Sequence, residues 1–165
     1  LSRVVDSGIV IDSSASSSII SNNGNIFAST GFGSPNFAQG QSGTGIFNAG
    51  TGTVITNGGV LNCNSFCSET TPYISGYFGI QNTGSVTSIT NEGSIVGVWA
   101  GIGNYASEGG SSPSLLIQTI TNSGTIHGDV TGIENGSAEH SQSIINQIIN
   151  TSSGVISAGD AGIYN

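Results

Sequence analysis

Isoleucine and other β-branched residues alternate with small polar residues along most of the chain. The segment Ile89–Ile95 reads Ile-Thr-Asn-Glu-Gly-Ser-Ile, with apolar side chains at both ends and asparagine and glycine between them. A period of two, with a glycine every few positions, is typical of short strands joined by tight turns and disfavours helices. The hydrophobic pattern therefore predicts an all-β chain.

This segment is one copy of a motif that occurs five times, each followed by Gly-Ile-x-Asn. The first motif lies at Ile20–Ile26, Ile55–Leu61, Ile89–Ile95, Ile120–Ile126 and, with two extra residues, Ile148–Ile156. The second lies at Gly45–Asn48, Gly79–Asn82, Gly101–Asn104, Gly132–Asn135 and Gly162–Asn165. Repeats in a fixed order are typical of a solenoid, in which each repeat packs on the next.

The spacing of the motifs gives the size of one repeat. Asn82 and Asn104 are 22 residues apart, which fits three short strands stacked about 4.8 Å from the next coil. The sequence predicts a single domain over residues 1–165, a parallel β-solenoid of about five coils with loop insertions. The chain is expected to be either a piece of a longer array or the subunit of a filament.

Three ladders of aliphatic side chains are expected to fill the interior, each residue contributing about 1.5–3 kcal/mol. The first ladder comprises Ile20, Ile55, Ile89, Ile120 and Ile148, with Val86, Ile117 and Ile145 pointing inward beside it. The second comprises Ile26, Leu61, Ile95, Ile126 and Ile156, and the third Ile46, Ile80, Ile102, Ile133 and Ile163.

The asparagines of the two motifs form two further sets. One contains Asn22, Asn57, Asn91, Asn122 and Asn150; the other contains Asn48, Asn82, Asn104, Asn135 and Asn165. An asparagine amide can donate to one coil, accept from another and tolerate a tight turn, so both sets are predicted to form hydrogen-bonded ladders. Glycosylation at Asn135 and Asn150 is less expected, because ladder amides would face inward.

Long excursions are expected between the second and third ladders, at Phe27–Gly45 and Asn62–Gly79. They are rich in aromatic residues, which either form a binding patch or cover the side of the stack. The candidate binding residues are Phe32, Phe37, Phe66, Tyr73, Tyr77 and Phe78.

The two cysteines, Cys63 and Cys67, lie in the second excursion. Three intervening residues and no nearby histidine make a poor zinc site, and a disulfide that closes one loop is favoured over two buried thiols. Such a disulfide implies an oxidising compartment.

Charge excludes several partners. The chain has nine acidic residues and one basic residue, Arg3, for a formal net charge of −8. Nucleic acids and anionic membranes are therefore unfavourable partners, because phosphate binding requires clustered Lys or Arg. No apolar run approaches the roughly 20 residues of a membrane-spanning helix, so no membrane insertion is expected.

Catalytic chemistry has little support in the sequence. Asp129 and Asp160 follow the second ladder at similar positions, and His127 shares a strand face with Asp129. The two acids are interpreted as solvated turn residues rather than a catalytic pair or a calcium site. His140 has no orienting acid beyond Glu139. No catalytic residue, metal ligand or cofactor is predicted, and the chain is not expected to be an enzyme.

Together the two motifs resemble the passenger repeats of bacterial autotransporters and related surface β-helix adhesins, over Gly8–Asn165. The resemblance implies secretion, a right-handed parallel β-helix and a role as a stalk or adhesin at the bacterial cell surface. The cysteines depart from this pattern, because passenger domains of this kind usually avoid them.

The expected function is therefore structural or adhesive. Uncapped parallel strands invite pairing, so the chain is expected to associate end to end, with loops that recognise a host surface or a glycan. The alternative is a carbohydrate-active or glycan-binding β-helix of the phage-tailspike type, with Asp129 and Asp160 converging in a groove lined by Trp99.

Overall fold

The structure, a computed structural model, describes residues 8–28, 43–58, 71–105, 115–136 and 143–165. These ranges contain strands, turns and bends, and within them no helix is long and apolar enough to span a bilayer. The strands are β1 (Ile9–Ile11), β2 (Ile19–Asn22), β3 (Asn25–Phe27), β4 (Ile46–Asn48), β5 (Thr53–Asn57), β6 (Tyr73–Asn82), β7 (Ser85–Asn91), β8 (Ser94–Asn104), β9 (Leu115–Asn122), β10 (Thr125–Gly128), β11 (Thr131–Asn135), β12 (Ser143–Asn150), β13 (Val155–Ala158) and β14 (Ala161–Tyr164).

These strands pair in parallel and form two sheets. The smaller sheet has five strands in the order β12-β9-β7-β5-β2. The larger has nine strands, because β6 and β8 each continue from one side of the stack to the next. The first half of β6 pairs with β3 and its second half with β4. The chain therefore stacks as an all-β parallel β-solenoid.

The first and third aliphatic ladders are confirmed by the strand register. Ile20, Ile55, Ile89, Ile120 and Ile148 are successive pairing partners in the five-stranded sheet. Ile46, Ile80, Ile102, Ile133 and Ile163 are partners in the larger sheet, and Ile9 extends that ladder by one residue. The central members of both ladders are fully buried.

The second ladder differs from the prediction at one position. Ile26 pairs with Ile74, and Ile74 pairs with Ile95. The assignment of Leu61 to this ladder was therefore wrong, and Leu61 itself lies outside the described residues. The physical reason is that Tyr73-Ile74-Ser75-Gly76 has the same alternation as Ser94-Ile95-Val96-Gly97, its partner strand.

This register moves the second insertion to a different side of the solenoid. It lies between the first and second ladders, and not between the second and third, because β6 already begins at Tyr73. Tyr73, Tyr77 and Phe78 are consequently strand residues and not loop residues. Cys63 and Cys67, with their predicted disulfide, lie outside the described residues.

Both sets of asparagines form continuous columns of hydrogen bonds. In the first column each Nδ2 donates to the Oδ1 of the next member over 2.7–2.8 Å, along Asn22, Asn57, Asn91, Asn122 and Asn150. In the second the distances are 2.6–2.8 Å, along Asn48, Asn82, Asn104, Asn135 and Asn165. All donors therefore point the same way along the stack.

Asn91 shows how completely a central amide is satisfied. Its Nδ2 also donates to the backbone oxygen of Gly93 over 3.1 Å and to that of Thr125 over 3.0 Å. Asn91 is fully buried. Since an unpaired buried amide is costly, this side chain stabilises the stack only while the strands on both sides keep their register.

The second column ends in a different way at β1. The residue that pairs with Asn48 on β1 is Ile11, whose side chain has no amide to donate. Asn48 Oδ1 instead accepts from Thr53 Oγ1 over 2.9 Å, and both residues are fully buried. Thr53 pairs with Val86, an aliphatic core residue. A buried threonine thus supplies the donor that the column lacks at this point.

Replacing Asn91 with alanine should remove the two N–H donors that three acceptors share, together with the Oδ1 that accepts from Asn57. We expect a loss of about 3 kcal/mol or more in the free energy of unfolding, measured by urea denaturation. The matched control is Asn150→Ala, at the exposed end of the same column, where about 1 kcal/mol is expected. Equal losses at both positions would contradict the role of the column.

Thr53→Val keeps the volume of the side chain but removes the hydroxyl that donates to Asn48. The buried Oδ1 would lose its partner, at a cost of about 1–3 kcal/mol in unfolding free energy. Thr56→Val on the same strand, where the side chain is partly exposed, should change stability by less than about 0.5 kcal/mol. A stability gain in Thr53→Val would refute the donor role.

Candidate functional site

The candidate site lies at the corner where β6 and β8 turn from one side of the solenoid to the next. Gly76 pairs with Gly97 and Phe78 pairs with Ala100, so one residue of β6, Tyr77, lies opposite two residues of β8. The second of those two is Trp99. A bulge bends the strand and re-aims side chains, and here the Tyr77 and Trp99 side chains are 37% and 38% exposed.

The two exposed rings stack on each other. Their centroids are 6.3 Å apart and their planes differ by 20°. Beneath them, Phe78 is buried and packs edge-on against Tyr77 at 5.1 Å and against Tyr105 at 5.5 Å. The corner therefore has a buried aromatic base and an exposed, nearly parallel pair. We call Tyr77, Phe78, Trp99 and Tyr105 the aromatic corner.

Gly103 makes room for this arrangement. A Cβ atom at this position would lie 2.8 Å from Cε1 of Tyr105 and 3.3 Å from Cδ1 of Phe78. Gly103 pairs with Glu134 on the neighbouring strand. The absence of a side chain at Gly103 lets the rings pack directly over the sheet, next to a carboxylate.

Glu134 is the polar group of the corner. Its Oε2 accepts a hydrogen bond of 2.8 Å from Trp99 Nε1. Burial raises the pKa of Glu134, and the Trp99 hydrogen bond partly offsets this by lowering it. Burial and the nearby Glu134 charge also raise the pKa values of Tyr77 and Tyr105. Both phenols therefore remain protonated, neutral donors around neutral pH.

A shallow groove of about 200 Å³ adjoins the corner. Its lining includes Gly76 and Val98, the residues immediately before Tyr77 and Trp99, together with Tyr73, Ser75, Val96, Gly97 and Asp129. This volume is below the range of about 300–1,000 Å³ for pockets that hold drug-sized ligands. The groove could therefore hold only a small unit of a larger ligand.

A second polar cluster surrounds His127. Its Nδ1 lies 2.9 Å from Ser157 Oγ, and its Nε2 lies 3.5 Å from Asp129 Oδ1. The second distance exceeds that of a hydrogen bond. In a Ser-His-Asp triad a hydrogen-bonded acid orients the imidazole, so this cluster lacks the orienting contact that nucleophilic catalysis uses.

The structure brings together some of the predicted site residues. Tyr73, Tyr77 and Phe78 lie at the groove and the corner, whereas Phe32, Phe37 and Phe66 lie outside the described residues. Asp129 and Asp160 both occupy exposed bends, after β10 and β13 respectively. Within the described ranges, no group of three or more His, Cys, Asp or Glu residues could hold a metal ion.

Sequence reasoning missed that Trp99, Tyr105 and Glu134 belong to the same site. The available signal was the aligned Gly-Ile-x-Asn motifs, in which the variable residues are Gly103 and Glu134 in successive copies. That alignment places the acidic residue Glu134 beside Gly103, a position that has no side chain. It does not show which aromatic rings lie over Gly103, because Trp99 lies on a bulge.

Trp99 is the only tryptophan in the sequence, so its emission should report the protonation of Glu134. We expect a fluorescence transition in a pH titration with its midpoint above 4.5, the ordinary value for this carboxyl. Glu134→Gln should abolish the transition, and Glu92→Gln, which alters an exposed acid, should not. A transition that survives in Glu134→Gln would contradict the assignment.

The raised pKa of Glu134 also makes the stability of the fold depend on pH. The folded state holds the Glu134 proton more tightly than the unfolded chain does. Glu134 therefore contributes to the free energy of unfolding at low pH, and this contribution is lost as the pH rises through the raised pKa. Glu134→Gln should therefore weaken the decline in stability as the pH rises past 4.5.

Comparison with known proteins gives no family assignment. No protein-family model matches the chain, and neither a curated protein nor a solved structure matches it. The function is therefore inferred from the contacts of the chain itself.

Proposed function

We propose that the chain is a structural or adhesive element of an extracellular or bacterial cell surface that associates end to end with further copies of itself. It is built as a right-handed parallel β-helix of about five coils, in one domain over residues 1–165. The repeat motif supports the surface location and the handedness. The proposal of association rests on inward-facing residues that are exposed to solvent at the outermost described strands.

The face formed by β12, β13 and β14 exposes residues that are buried elsewhere in the stack. Ile163 is 50% exposed, although its ladder partners Ile133 and Ile102 are 0% exposed. Among the described strands, β12, β13 and β14 each pair with a neighbour on one side only. This face therefore presents apolar side chains together with backbone groups that a further strand could pair with.

The opposite face is formed by β1, β2 and β3, which also pair on one side only among the described strands. The ladder residues Ile9, Ile20 and Ile26 are only partly buried there, although their partners Ile46, Ile55 and Ile74 are fully buried. Both faces present parallel strands running in the same direction, so translation of one copy along the stack brings unlike faces together. Such heterologous contacts generate open filaments when the rotation does not close.

The asparagine columns support a second copy of the chain as the occupant of these faces. On one face Asn150 and Asn165 end the columns with their Nδ2 groups, and on the other Asn22 begins a column with its Oδ1. A further copy stacked in register would place Asn150 Nδ2 of one copy against Asn22 Oδ1 of the next. The continuing isoleucine ladders would bury apolar surface at the same time, at about 25 cal/mol per Å².

Particle length should rise with protein concentration in sedimentation velocity and in negative-stain electron microscopy. Ile163→Asp would place a charge on the apolar face and should leave short particles at every concentration. The matched control is Thr87→Asp, on the exposed side of β7, which should assemble like the unaltered chain. Short particles of the unaltered chain across the whole concentration series would refute the proposal.

A further inference from the structure

The aromatic corner lies away from both end faces. Tyr77 is on β6 and Trp99 is on β8, and both strands have neighbours on two sides. End-to-end association would leave these side chains exposed. An exposed aromatic pair on a rigid sheet therefore calls for an explanation that is separate from the association proposed above.

The geometry of the pair favours a flat apolar ligand. The two rings are within 20° of parallel, and buried Phe78 packs edge-on against both Tyr77 and Tyr105. Tyr and Trp present an apolar face next to a polar group, and such sites combine apolar contact with a few placed hydrogen-bonding groups. The C–H face of a pyranose ring has the shape to lie on such a surface.

Glu134 supplies the directional contact. Its carboxylate is fixed by the Trp99 Nε1 hydrogen bond through Oε2, next to the stacked rings. A carboxylate accepts strong hydrogen bonds from hydroxyl groups. Ser75 and Asp129 line the adjoining groove and supply further hydrogen-bonding groups there. The combination of an aromatic face and flanking acceptors suits a ligand with several hydroxyls.

Charge and ring orientation narrow the class of ligand. A chain of net charge −8 with one basic residue opposes anionic ligands such as uronic acids, sulfated sugars and nucleic acids. Quaternary ammonium ions are recognised by aromatic rings that surround them. Tyr77 and Trp99 are nearly parallel neighbours and do not enclose a space between crossing planes.

We infer that Tyr77, Trp99 and Glu134 form a binding site for a neutral glycan. One sugar ring lies against the exposed aromatic pair, and its hydroxyls donate to Glu134. The groove beside Gly76 and Val98 accepts part of an adjacent unit. Binding at this site does not depend on end-to-end association, because the site lies on the side of the stack.

The test is a titration of the full chain with neutral oligosaccharides, followed through the emission of Trp99, the only tryptophan in the sequence. The probes are cello-, malto- and N-acetylchito-oligosaccharides, with oligogalacturonate as the anionic comparison and tetramethylammonium as the cationic one. We expect a saturable change with at least one neutral series and none with the other two probes. Isothermal titration calorimetry on the same samples provides a second readout.

Matched variants separate the aromatic and polar contributions. Tyr77→Ala should weaken binding about tenfold by removing one ring of the exposed aromatic pair. Tyr77→Phe keeps the ring and should stay within about twofold of the unaltered chain. Glu134→Gln should weaken binding about tenfold through loss of a charged acceptor. Glu92→Gln alters an exposed acid elsewhere and should have no effect.

Three results would overturn the inference. The first is the absence of any response to all neutral series at millimolar concentration. The second is equal affinity of Tyr77→Ala and the unaltered chain, with both shown to be folded by circular dichroism. The third is a response to tetramethylammonium alone, which would identify the corner as a cation site.

Discussion

The buried side-chain amide is the interaction on which this solenoid depends. An amide removed from water must find partners for its donors and its acceptor. Each central column asparagine finds them in the strands on either side and in the backbone next to it, as Asn91 does with Asn57, Asn122 and Thr125. A slip of one residue would turn both the isoleucines and the asparagines to the other face, and a slip of two would pair an asparagine with an isoleucine, as Asn91 with Ile120. The isoleucine ladders need only apolar neighbours of suitable size, so the asparagines are what make one register better than the others.

That register also positions the side surface of the stack. Gly103 and Glu134 are strand partners because the asparagines that follow them, Asn104 and Asn135, are hydrogen-bonded partners. The space above Gly103 and the carboxylate beside it are therefore consequences of the columns. The proposed binding site would be held in position, since each of its members lies on a strand that pairs on both sides.

The sequence was sufficient to predict the core but not the corner. Ladder and column positions could be assigned because they recur with the motifs, and each copy repeats the same physical requirement. Ile74 was missed because Leu61 fits the motif equally well, and only cross-strand pairing distinguishes the two. The contact between Trp99 and Glu134 joins residues 35 apart across a bulge. Its formation depends on the direction of one side chain, which no periodic pattern encodes.

The shared direction of the column hydrogen bonds gives the solenoid an electrical polarity. Each amide carries a dipole, and in both columns the Nδ2 groups point toward β12–β14 while the Oδ1 groups point toward β1–β3. Aligned dipoles add, as they do along a helix, and leave partial positive charge at the donor end and partial negative charge at the acceptor end. Two copies that met through like faces would oppose dipoles of the same sign, whereas unlike faces attract. In the proposed end-to-end association, the asparagines that fix the register within one chain would thus also give the stack of chains a preferred direction.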